Sequence, residues 1–160
     1  MAKLLKKKKE HVIGAPVKGK AVPFQEVKDP IFSEELLGKG IGIIPMDGQI
    51  YAPADGKIEM VFDTLHALSM TTGDGTEILI HVGIDTVQLK GDGFKSYVKA
   101  GDRVKKGASL LSVDLEKVKR NGYDPVTLMV VCNTGDYASV EGISGMDLLA
   151  GDDVLVIKEK

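Results

Sequence analysis

The chain has 160 residues, one cysteine, no tryptophan and a net charge of −2. That length suits a single domain with its own core, and a lone Cys132 excludes an internal disulfide, which predicts a buried thiol in a reducing compartment. No apolar stretch is long enough for a membrane-spanning helix, and no secretory apolar region is present. The first ten residues hold five Lys and one Glu, which leaves the rest of the chain at −6; that balance disfavours nucleic acid and favours a basic protein partner.

In chain order, residues 1–11 read as a flexible basic tail whose Lys run can make at most weak membrane-surface contact, with His11 solvated at its end. Residues 12–160 read as one domain without an internal linker. Ala15-Pro16-Val17-Lys18-Gly19 resembles Ala52-Pro53-Ala54-Asp55-Gly56, and Ala100-Gly101-Asp102 resembles Ala150-Gly151-Asp152. Each copy is a turn leading into a short strand. Asp29 to Gly38 has helix grammar: Asp as N-cap, Pro30 at the first helical position and Gly as stop. Asp114 to Gly122 has the same. Thr64 to Met70 reads as extended, with Thr64, His66, Leu68 and Met70 on one face. Gly73-Asp74-Gly75 and Gly91-Asp92-Gly93 read as hairpin turns, because neither has the strand-to-helix setting of a phosphate loop. Short strands punctuated by Gly and Asp predict an all-β, antiparallel sandwich or barrel-like fold with internal duplication and short helical turns.

The run Ile78 to Asp85 is the most informative strand. Side chains alternate along it, so Ile78, Ile80, Val82 and Ile84 share one face and Leu79, His81, Gly83 and Asp85 the other. A histidine in a strand is commonly a satisfied core residue. Two histidines in successive strands, one followed by an aspartate on its own face, point instead to a site. A neutral imidazole can serve as metal ligand, general base or phosphoryl acceptor, and the pattern leaves the three open.

The motifs Asp29 to Glu34, Thr64-x-His66-Ala67, His81-Val82-Gly83-Ile84-Asp85-Thr86-Val87 and Gln88 to Phe94 resemble the glucose-type enzyme IIA component of the phosphoenolpyruvate-dependent sugar phosphotransferase system, from about Val12 to near the C-terminus. The resemblance implies a cytoplasmic β-sandwich phosphotransferase component that acts stoichiometrically in a relay. His81 would take phosphate from HPr on Nε2 and pass it to the IIB domain of a sugar permease. His66 would steady the phosphoryl group and support onward transfer, and Thr64 would orient His66. Asp29, Ile31, Phe32, Gly83 and Asp85 would face the partner, the carboxylates pairing with its arginines and Gly83 leaving room for a partner side chain. No cofactor is required. Zinc at His66 and His81 is expected only where a partner adds a ligand, and further regulatory protein targets are compatible with the family. On the residues alone, Asp29 is equally an N-cap, Glu34 a solvated helix residue and Phe32 the buried side of a first helical turn.

Two other classes fit parts of the chain. Ala52 to Gly56 and Val98 to Gly107 resemble turns of lipoyl- and biotinyl-carrier domains, yet the chain has neither Asp-Lys-Ala nor Met-Lys-Met for a swinging arm. A metal-dependent hydrolase would use the histidine pair with Asp85, but HxxEH and HxH spacings are absent.

Overall fold

The computed structural model describes residues 9–160. Among these residues fourteen strands form in chain order: β1 (Glu10–Gly14), β2 (Gly19–Val22), β3 (Lys39–Pro45), β4 (Gln49–Tyr51), β5 (Gly56–Val61), β6 (Ala67–Thr72) and β7 (Glu77–Val82) in the first half. The second half adds β8 (Phe94–Ser96), β9 (Arg103–Val104), β10 (Ser109–Val113), β11 (Thr127–Val131), β12 (Tyr137–Gly142), β13 (Asp147–Leu148) and β14 (Asp153–Glu159). Two short helices, α1 (Pro30–Ser33) and α2 (Leu115–Arg120), interrupt them. One eight-stranded sheet runs β13-β2-β3-β11-β7-β6-β5-β9, and two three-stranded sheets run β1-β14-β12 and β4-β10-β8. All the pairings are antiparallel.

A main core joins the three sheets through Ile13, Ile43, Ile58, Ile78, Ile80, Leu111, Leu155 and Ile157. A second cluster of Phe24, Val27, Phe32, Ile84, Val126, Leu128 and Val130 covers the other face of the large sheet, with Leu79 against it. Strand β11 sits between the two and is buried at every residue, which is why Val126 to Val131 reads as an unbroken apolar run. The functional histidine candidates lie beside the second cluster.

The expected duplication is present in the backbone hydrogen bonds, in a different register. Ala15 exchanges bonds with Gly151 and Asp152, and Ala21 with Gly145 and Met146. In the other copy Ala52 exchanges bonds with Ala108 and Gly107, and Ile58 with Gly101 and Asp102. Each copy spaces its two exchanges six residues apart on both segments. Gly101-Asp102 and Gly151-Asp152 are alike only as local turns, each closed by an Asp carboxylate on a backbone N–H, at Lys99 and Leu149 respectively; they pair at different places in their copies.

Several expectations need correction. Helix α1 stops well before Gly38, because Glu35 itself takes the left-handed conformation with φ +56°. Its N–H bonds Phe32 and that of Leu36 reaches Ile31, a Schellman ending with glutamate where glycine is usual. Helix α2 follows its grammar, with Asp114 accepting from the Lys117 N–H and Gly122 at φ +84° just past the end. The turn Gly73 to Gly75 joins β6 to β7 as a hairpin, whereas Gly91 to Gly93 joins the 3-10 turn Thr86–Leu89 to β8. Cys132 is exposed, since β11 ends one residue before it. Of the expected tail, residues 1–8 and most of the Lys run lie outside the described residues. Glu10 and His11 belong to β1, and the His11 ring is half-buried against the body: its Nε2 lies 3.0 Å from the Thr76 hydroxyl, which is 2.9 Å from that of Tyr137.

Candidate functional site

Strand β7 delivers His81 at its end. Ile78, Ile80 and Val82 point into the main core, while Leu79 and His81 point to the other face and are half-buried. The strand stops at Val82, and the chain then turns through Gly83 at φ +83° and Asp85 at φ +61°. This break carries Ile84 into the second cluster, on the His81 side and away from Ile78, a correction to the simple alternation. It also folds the Gly83 carbonyl back to 2.8 Å from Nδ1 of His81. A carbonyl only accepts, so Nδ1 carries the proton and Nε2 is left with a bare lone pair.

His66 reaches the same place by a different route. Strand β6 pairs with β7, Ala67 opposite His81, and the Val82 N–H bonds the His66 carbonyl at 2.7 Å. The two segments are neighbours as expected, yet Thr64 to His66 is not extended. It is the turn between β5 and β6, with Leu65 at φ +59° and its N–H on the Phe62 carbonyl. The turn, and not strand alternation, sets the Thr64 hydroxyl 2.7 Å from Nδ1 of His66. The two imidazoles meet edge to face, centroids 4.9 Å apart and planes at 85°. Phe32 stands 5.3 Å from the His81 ring and Phe62 stands 5.4 Å from that of His66. Phe62 was not singled out in the sequence; Asp63-Thr64 after the β5 run is the turn signal that places it.

Both rings stay neutral near pH 7. Burial pulls His66 down to about 4, and His81 adds to the drop. Burial lowers His81 too, opposed by the Gly83 carbonyl and by the carboxylates of Asp29 and Asp85, which therefore lie within electrostatic reach. Asp29 also caps α1, its carboxylate 3.0 Å from the Ile31 N–H.

Among the expected partner-facing residues, Ile31 and Asp85 are exposed and Asp29 is half-buried. Phe32 is only 3% exposed; it walls the histidine pair and packs edge-on to Phe24, so burial is its main contribution. Gly83 is buried as well, and a Cβ there would collide with the Thr86 methyl. Its glycine serves the internal turn, and it offers no surface to a partner. Among the described residues no three His, Cys, Asp or Glu side chains gather as a metal ligand set, and no helix is long and apolar enough to cross a membrane.

A family model described as phosphoenolpyruvate-dependent sugar phosphotransferase system, EIIA 1, matches residues 11–137. The glucose-specific EIIA component of the sugar phosphotransferase system (PTS) of Oceanobacillus iheyensis is 36% identical over 92% of this chain and 90% of its own. The beta-glucoside-specific EIIBCA component of Bacillus subtilis is 43% identical over 79% of this chain, which spans only 21% of that longer protein. The solved structure of glucose permease IIA from Mycoplasma capricolum superposes with a TM-score of 0.83 at 34% identity, covering 92% of this chain and 96% of the other. The match runs through both histidine segments and the likeness in fold spans nearly the whole body, so the chain belongs to the EIIA 1 family of the phosphoenolpyruvate-dependent sugar phosphotransferase system.

Proposed function

We propose that this chain is a cytoplasmic phosphoryl carrier that takes phosphate from HPr on Nε2 of His81 and hands it to the IIB domain of a sugar permease. The observation that carries this reading is the His81–Gly83 hydrogen bond. It commits the ring proton to Nδ1 and leaves Nε2 as the nucleophile, facing a second neutral imidazole. Phosphoryl transfer asks the protein mainly for in-line placement and for stabilisation of charge on the phosphoryl oxygens. His66 supplies the second: with the Thr64 hydroxyl donating to its Nδ1, its Nε2–H can donate a hydrogen bond to a phosphoryl oxygen. Phe32 and Phe62 exclude water from the flanks, which protects a phosphohistidine from hydrolysis.

Asp29 and Asp85 rim the site, where they would pair with arginines of the donor and guide docking, with Ile31 adding apolar surface. The carrier acts stoichiometrically, charged and discharged once per cycle, and needs no resident cofactor. Two imidazoles are two of about four ligands that zinc takes, so zinc would be held at His66 and His81 only where a partner contributes a carboxylate. The test is incubation with phosphoenolpyruvate, enzyme I and HPr, followed by intact mass and phosphosite mapping. One phosphate on His81 is the expected result; label confined to another residue would overturn the reading.

A further inference from the structure

The proton on Nδ1 of His81 depends on where the Gly83 carbonyl points, and that depends on a turn held at three places. The Gly83 N–H bonds the Val126 carbonyl at 2.8 Å and the Ile84 N–H bonds that of Asp124 at 2.9 Å. These two bonds pin the N–H ends of consecutive peptide groups. The third hold is a side chain: the Thr86 hydroxyl donates to the Val82 carbonyl, the oxygen end of the Val82–Gly83 peptide. Thr86 is fully buried at 0% exposure, and its methyl lies where a Cβ on Gly83 would be. It stands at the start of the 3-10 turn, just after the left-handed Asp85. Apart from His81 itself, Thr86 is the one side chain among the described residues that hydrogen-bonds the backbone of residues 82–84.

We propose that Thr86 is a positioning residue: its hydroxyl, by holding the Val82 carbonyl, keeps the Gly83 carbonyl on Nδ1 of His81 and so keeps Nε2 free to accept phosphate. Removing the hydroxyl leaves a buried carbonyl without its donor. The Val82–Gly83 peptide is then held only at its N–H end, by the Val126 carbonyl, and can tilt about that bond, which shifts the adjoining Gly83 carbonyl. Without that acceptor the ring proton distributes between the two nitrogens. A proton on Nε2 occupies the lone pair that must attack phosphorus. The consequence for rate rests on the phosphocarrier reading; the tautomer is a property of the chain alone.

The experiment compares the parent, Thr86→Val and Thr86→Ser with 15N-labelled histidine rings. Ring 15N shifts give the tautomer of His81, and rapid quench gives the rate of acceptance from phosphorylated HPr. The parent is expected to show a protonated Nδ1 and a bare Nε2. Thr86→Val, similar in shape but without the hydroxyl, is expected to show mixed tautomers and acceptance slowed by about tenfold or more, the scale of a misplaced reacting group. Thr86→Ser keeps the hydroxyl and is expected to restore both readings. Parental ring shifts in Thr86→Val overturn the proposal, and so do mixed tautomers in Thr86→Ser. Should Thr86→Val not fold, the serine variant alone decides. If the phosphate maps elsewhere than His81, the functional reading falls, while the ring shifts still report on Thr86.

Discussion

The hairpin of β6 and β7 carries a histidine cluster at each end, and the two differ in which nitrogen is engaged. At the closed end, beside the Gly73 to Gly75 turn, Nε2 of His11 is tied to Thr76, and Thr76 to Tyr137, with the His11 and Tyr137 rings edge-on at 5.9 Å. At the open end His66 and His81 each engage Nδ1 and keep Nε2 for something outside the chain. The first arrangement fastens β1 onto the body. The second leaves the Nε2 atoms of two adjoining rings without a partner in the chain, in a partly dry setting. Burial alone does not separate a structural imidazole from a reactive one; the identity of the bonded nitrogen does.

The largest effects should come from the open end. His81→Ala is expected to lose HPr-dependent labelling entirely, read by intact mass, because no other Nε2 stands in its place. His66→Gln keeps an amide donor but no titrating ring. It should still be labelled on His81, yet pass phosphate to a permease IIB domain slower by about a hundredfold or more, the scale of a lost acid–base partner. Equal onward rates in parent and variant would reduce His66 to a packing residue.

The same ring makes stability depend on pH. An unfolded chain binds a proton at His66 below about 6.5, whereas the folded chain refuses it until about 4. The contribution is therefore present above pH 6.5 and is lost as pH falls from there towards 4, on the order of 3 kcal/mol in full. Urea midpoints at pH 7.5, 5.5 and 4.5 measure it, and His66→Gln should flatten the decline. A parallel decline in the variant would assign the loss to other groups.

Smaller still is the rim. Asp29→Asn with Asp85→Asn is expected to slow transfer from phosphorylated HPr several-fold and to weaken its salt dependence, mainly through association rate. Second-order rates across ionic strength decide this; a double variant that tracks the parent at every salt concentration places docking elsewhere. The closed end gives the smallest effect. His11→Ala should lower stability by about 1 kcal/mol, a lost part-buried hydrogen bond, seen as a drop in Tm, while labelling of His81 continues at the parental rate.

What could be read from the sequence follows the range over which each feature is determined. The alternation in Ile78 to Val82 is set by contacts on both faces of the strand, so the placement of His81 was legible. Ile84 was not, because the strand ends at a residue whose successors are left-handed, and only Gly83 among them announces it. Thr64 and His66 were correctly brought together for the wrong reason. A Leu at φ +59° leaves no mark that an extended reading would notice. Glu35 hid the end of α1 in the same way. His11 was misplaced because its partners lie 65 and 126 residues away in sequence, at Thr76 and Tyr137. Gly83 was noticed, but its collision partner Thr86 appears only when the turn is closed.

The pairing of β1 with β14 has a bearing on relatives that carry this module within longer chains. The Glu159 N–H bonds the Lys9 carbonyl, so the backbone enters and leaves the body side by side. That point lies at the His11 end of β7, and Thr76 to His81 spans about 16 Å at roughly 3.3 Å per residue. A leash attached there reaches the rear of the module and leaves the histidine face uncovered. In a tethered protein such as the EIIBCA relative, linker length would then set the local concentration of donor site around acceptor site. Without such a leash the confinement is absent, and encounter follows bulk concentration.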